Sequence, residues 1–191
     1  ITSQKSSITI FSDDTVWRES VLYREQFTGV WQRLLGNKYW YYVQLVMKNY
    51  LASFSPSFLV TRGGAHPWHQ VSGAGHLYWL VYFLGWIGIA HSIWSLLRFF
   101  KDRRRPVPKA EIILLFWLVI GLGPAVITVD APHATRSLFF IWTWVLLAGW
   151  GLQSVWVWAK KHSQVVGLLL LFGLSLELGQ FSYRYFDTFA Q

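Results

Sequence analysis

The chain has no cysteine, which excludes disulfides and thiolate metal sites. It also has little charge: 14% of its residues are Asp, Glu, Lys or Arg, against about 25% in a soluble domain. A hydrophobic content of 53% and an aromatic content of 19% on so few charges needs lipid as a solvent. No basic start followed by an apolar core is present, so no signal peptide is visible. Internal repeats, low-complexity tracts and a second soluble domain are lacking too. Acidic residues are scarce, leaving a net charge of +8. Much of that excess falls in two short loops, where inner-leaflet lipid and topology explain it. Nucleic acid is therefore not an expected partner.

What is present is a set of four long apolar runs in the second half: residues 76–100, 110–129, 137–159 and 165–181. The second is interrupted by Gly121, Gly123 and Pro124, which predict a kink. A span needs about 20 apolar residues, within roughly 17–25, so the fourth run is the shortest. Charge falls on alternate connections. Lys101, Arg103, Arg104, Arg105 and Lys109 follow the first run, and Lys160 and Lys161 follow the third. Basic loops stay cytoplasmic, which predicts that residues 1–75, 129–136 and the tail 182–191 lie outside. The expectation is an all-α integral membrane protein of a bacterial or archaeal cell membrane, its lipid bilayer entered by residues 76–181. A segment translocated without a signal needs an earlier span, so the chain is expected to be a piece of a longer protein, completed by an N-terminal membrane half.

Before the spans, Ile8, Ile10 and Phe11 alternate with small polar residues and predict a short strand or extended lead-in. Asp13 and Asp14 predict a helix cap and a dipole partner, favoured over acid–base work by an acid pair. A polar helix is expected over 16–35, stopped by Gly36-Asn37. Residues 39–51 are aromatic, too short for a span, and suit a helix lying at the interface. Pro56 ends it, and a glycine-rich loop runs to Gly75.

Three constellations could carry chemistry. In the connection after the second run, Asp130 can cap a helix with Pro132 in its first turn. His133 and Arg136, three apart, would share one face of that helix start. A cationic, N–H-rich site of this kind suits a phosphate. On spacing alone the plainer reading, a capped helix whose arginine snorkels to headgroups, is favoured. In the loop around Gly63, His66 and His69 could bind a phosphate, act in acid–base work or ligate a metal. No carboxylate stands nearby, so metal ligation is the weakest of these, and a glycine-rich turn with interfacial aromatics fits equally well. Glu177 lies inside the fourth run, where an ionisable group is costly, facing a cavity or the outer surface. His91 reads as a hydrogen-bonded packing residue.

Together these pieces resemble a family. Asn49-Tyr50, Phe54-Ser55-Pro56, Gly63, His69, Gly75-His76-Leu77-Tyr78 and Pro132-His133-Ala134-Thr135-Arg136-Ser137 occur in order. The pattern is similar to that of GT-C fold membrane glycosyltransferases, nearest to the family-39-like enzymes related to protein O-mannosyltransferases and bacterial aminoarabinose transferases. The resemblance runs to about residue 152. Two positions depart: Gly64 stands where the family usually has aspartate, and Trp68 where it usually has arginine.

The resemblance implies transfer of a sugar from a polyprenyl-phosphate carrier to an extracytoplasmic acceptor. It implies that Arg136, assisted by His133, receives the lipid phosphate, and that His69 and His66 line the acceptor or sugar side. Asp130, Pro132 and Gly63 would be structural. The family's catalytic carboxylate lies in a first outer loop that is not in this chain, so no catalytic residue is assigned. No cofactor is expected from these residues, and a divalent metal is left open. The competing expectation is a non-catalytic transport, lipid-binding or scaffold module.

Overall fold

Four helices are long and apolar enough to cross a membrane: Trp79–Lys101, Lys109–Val126, Thr135–Ala159 and Ser163–Asp187. They are compatible with an integral membrane protein. The computed structural model describes residues 8–64 and 73–189. Among these the chain is all-α, with a lone antiparallel bridge between Thr9 and Thr128 as its β content. That bridge is what the alternating lead-in becomes. Ile10 donates its N–H to the Ile127 carbonyl at 3.0 Å, Val129 donates to Ile8 at 3.2 Å, and the Ile10 side chain is buried.

Helix α1 (Asp14–Glu25) starts where Asp13 accepts from the Thr15 and Val16 amides at 2.9 and 3.0 Å, groups that no helical carbonyl can reach. The expected helix over 16–35 is two helices. Thr28 is extended and Gly29 has a φ of +60°, a conformation that favours glycine, so the chain breaks before α2 (Gly29–Leu34). Asn37 then serves both neighbours. Its Nδ2 donates to the Arg33 and Leu34 carbonyls at 3.2 and 2.9 Å, and its Oδ1 accepts from the Trp40 amide at 2.8 Å, opening α3 (Lys38–Ser53). Helix α3 packs on α1 through a Tyr41–Glu19 hydrogen bond and a Gln44–Tyr23 one, both 2.8 Å. Its buried Asn49 donates to the Val126 carbonyl at 2.9 Å.

The spans are α4 (Trp79–Lys101), α5 (Lys109–Ile120) with the short α6 (Gly123–Val126), α7 (Leu138–Ala159) and α8 (Ser163–Tyr183). The break between α5 and α6 falls at the expected glycines. Lipid is as apolar as leucine, so packing rather than transfer from water holds such helices together. Helices α4 and α7 supply it by close approach. Gly88 faces the Leu147 carbonyl and Gly151 faces the Leu84 carbonyl, an arrangement that allows Cα–H···O contacts. Gly85 makes room for the Trp144 ring. Trp144 is fully buried, stacked on Tyr82 at 5.5 Å and met edge-on by Phe54, Trp86 and Phe140. Helix α8 stands at the periphery with no buried residue and continues as a π-helical turn, Arg184–Phe189, where a tail was expected.

Neighbouring spans alternate in direction. His91 pairs with Ser154 at 2.9 Å, Ser95 with Glu111 at 3.3 Å, and Gly167 abuts Trp156. The basic connections at Lys101–Lys109 and at Lys160 therefore share one end of the bundle. Residues 57–64, 73–79 and 127–137 gather at the other.

Candidate functional site

The non-basic end is assembled by the segments that carry the resemblance. Ser55 Oγ accepts from the Phe58 amide at 3.2 Å, starting the π-helical turn Ser57–Thr61, whose Phe58, Leu59 and Val60 are buried. The irregular segment 73–78 docks on that turn: Gly75, His76 and Leu77 donate their amides to Val60 and Leu59 carbonyls at 2.7–2.8 Å. A β-carbon on Gly75 would lie 2.6 Å from the Val60 nitrogen, which accounts for glycine there. Gly63 has a φ of +75° and donates to the Ser57 carbonyl, reversing the chain so that Gly64 meets the second loop. A β-carbon on Gly64 would sit 3.1 Å from the Ala134 nitrogen and 3.5 Å from the Pro132 oxygen. The two candidate loops, far apart in sequence, are thus in contact.

The second loop differs from expectation in its local form. Pro132 follows a cis peptide bond and lies in a bend, outside any helix. The first helical turn is a 3-10 turn, Thr135–Ser137, which leads into α7. Asp130 is exposed and does not cap it, because a capping side chain reaches amides two or three residues on, and those positions are not yet helical. His133 likewise precedes the helix. It joins it through its carbonyl, which accepts from the Ser137 amide at 3.0 Å, while its Nδ1 pairs with Thr135 Oγ1 at 3.2 Å. Arg136 is half-buried within the 3-10 turn. Its Nη1 is buried and has no hydrogen-bond partner among the described residues, and the same holds for Ser137 Oγ and His76 Nε2. His66 and His69 lie outside the described residues.

A cavity of about 700 Å³ opens beside this assembly, between residues 60–62, 73–79 and α8. Arg62, His76, Glu177 and Arg184 are among its polar lining. Both Glu177 oxygens accept from the Leu80 amide, at 3.3 and 3.4 Å, so a carboxylate from α8 faces the start of α4. Tyr78, at the cap position there, supplies no side-chain bond of its own. Arg184 donates to the Gly73 carbonyl and ties the end of α8 to the loop. Burial pushes the His76 imidazole below its ordinary value, favouring the neutral ring that packs edge-on against Phe58 at 5.0 Å. Gln180 and Arg184 carry no local motif, so the cavity was not legible from the sequence beyond Glu177 as an isolated oddity. His91 is hydrogen-bonded, as read, but on an exposed face. No group of three or more metal-ligating side chains occurs among the described residues.

Comparison with protein-family models, with curated proteins and with solved structures gives no match for this chain. The site is read from its own geometry.

Proposed function

We propose that this chain forms part of a GT-C-type membrane glycosyltransferase that moves a sugar from a polyprenyl-phosphate carrier to an extracytoplasmic acceptor. The observation that carries the reading is the contact of Gly64 with the Pro132–Ala134 segment, beside an arginine whose buried Nη1 has no partner among the described residues. Buried donors are nearly always paired, and a guanidinium fork matches a phosphate. In the reaction the acceptor oxygen attacks the anomeric carbon, and the bond to the phosphate oxygen breaks with inversion. The departing lipid phosphate gains negative charge, which a fixed cation at that depth stabilises. Arg136 holds that role, with His133 beside it, and the acceptor's proton passes to a base to which no residue of this chain is assigned. Sidedness supports the same placement: Lys101, Arg103, Arg104 and Arg105 lie at the opposite end, which the positive-inside rule assigns to the cytoplasm.

The test is transfer from radiolabelled polyprenyl-phosphate sugars in membranes containing the full-length protein. Labelled product that depends on the protein is expected. Folded protein that neither binds nor turns over any such carrier overturns the reading, as does labelling that places Lys101 and His133 on the same side of the membrane.

A further inference from the structure

The cavity beside α8 has a composition of its own, and Arg136 does not line it. Glu177 sits within an apolar span, where an ionisable side chain marks function by default. Its two oxygens accept from the Leu80 amide at 3.3 and 3.4 Å, longer than the usual 2.9–3.0 Å or so, and face the Trp79 amide as well. An ionised carboxylate accepts about four hydrogen bonds, so facing α4 leaves acceptor capacity over. Gln180 lines the same cavity one helical turn further on, offering both a donor and an acceptor. Tyr78 and Phe181 meet edge-to-face at 6.3 Å, and Trp79 stands beside them. His76 lines the wall with a buried Nε2 that has no partner among the described residues.

This combination fits a hydroxyl-rich ring. Ring hydroxyls donate to a carboxylate and exchange bonds with an amide, while the apolar C–H face lies on aromatic side chains. Arg62 and Arg184 line the same cavity and can face an anionic group attached to the ring, while the Glu177 carboxylate repels an anion placed against it and so selects hydroxyls on its own side. The volume of about 700 Å³ is that of an ordinary small-molecule site. We infer that this cavity binds the sugar head of the substrate, with Glu177 and Gln180 as its hydroxyl partners. The identification of the sugar as the carrier's own rests on the function proposed above. The presence of a saccharide site does not.

The lack of cysteine in these 191 residues leaves no competing thiol in this part of the protein. Gln180→Cys in the full-length protein places a single thiol in the cavity, and its modification rate by a polar thiol reagent is measured with three probes: free monosaccharides, a polyprenyl-phosphate sugar, and polyprenyl phosphate alone. Slowing by roughly tenfold or more, the factor by which a ligand at about ten times its Kd lowers the free fraction, is expected with a saturating monosaccharide and with the sugar-bearing lipid, and little slowing with the bare lipid. A Thr61→Cys variant repeats the measurement with Gln180 intact, and adding Glu177→Gln to it should abolish protection without lowering the melting temperature. Protection by monosaccharide without binding of either lipid upholds the cavity and defeats the glycosyl-carrier reading. Binding of the sugar-bearing lipid without protection of either thiol defeats the cavity and leaves that reading intact. Protection by bare lipid as strong as by the sugar-bearing lipid, or protection that survives Glu177→Gln, also overturns the inference.

Discussion

Gly64 is packed against Ala134, with room for a hydrogen but not comfortably for a methyl: the added carbon would lie 3.1 Å from the Ala134 nitrogen and 3.4 Å from its Cβ. This contact joins the segment that ends at Gly64 to the turn that carries Arg136. It also gives a physical reason for glycine there, since a longer side chain would crowd the Ala134 backbone.

Enlarging Gly64 should therefore loosen the site before it unfolds the bundle. Gly64→Val is expected to lower stability by about 1–3 kcal/mol, the usual range for overpacking, read as a lower melting temperature in detergent. Ala134→Gly in the same protein should recover part of the loss. A melting temperature unchanged by Gly64→Val would show that the loops do not touch.

Glycines in the spans should divide sharply by what they face. Gly88→Ala drives a methyl into the Leu147 carbonyl, in a helix pair held by packing, and should cost about 1–3 kcal/mol. Gly149 has nothing within 4 Å, so Gly149→Ala should be neutral or stabilising by up to about 1 kcal/mol through helix propensity. Thermal unfolding of the two variants side by side checks this. Equal effects would contradict the α4–α7 interface.

The distinction between these glycines was not legible in the sequence, which shows each as one interruption in an apolar run. Run length and charge placement were enough to find four spans, because bilayer thickness sets the one and the positive-inside rule the other. Local chemistry was equally readable at Asp13, whose side chain caps α1, and at Ile8 and Ile10. It misled at 16–35, where Thr28 and the positive φ of Gly29 divide a helix, and at Asp130 and Pro132, where the turn starts later than the cap signal suggests. What no local pattern contains is pairing across distance. Glu177 meets Leu80 across 97 residues and Arg184 meets Gly73 across 111, and those two contacts shape the cavity.

Tyr41 offers a test of the α1–α3 contact by pH. Burial, then the hydrogen bond to Glu19 and its charge, raise its phenol from 10.0 to about 12. The folded state thus holds the proton more tightly than the unfolded one. The contribution is complete below pH 10 and is lost as pH rises toward 12. Burial also raises the Tyr50 phenol, so ultraviolet titration of tyrosinate should show more than one late group, of which Tyr41→Phe removes one and leaves the other. Glu19→Gln should let the Tyr41 group ionise earlier, though still late, because the burial remains. An unshifted titration in Glu19→Gln would mean that the 2.8 Å bond does not persist.

Arg136 is the residue on which the proposed chemistry turns, and three variants separate its possible contributions. Arg136→Met keeps the apolar stem, so packing and melting temperature should hold, while loss of the cation should cut turnover by roughly 10²–10³-fold, as removal of one transition-state donor does. Arg136→Lys keeps a charge but loses the planar fork and should fall between that variant and the natural protein. Ser137 follows directly, its buried hydroxyl also without a partner among the described residues, so Ser137→Ala should leave the phosphate role largely intact. Turnover of a polyprenyl-phosphate sugar and melting temperature are measured on all three. Full activity in Arg136→Met would take the guanidinium out of the reaction. Loss of activity that tracks loss of fold across the set would reduce Arg136 to a structural residue at the start of α7.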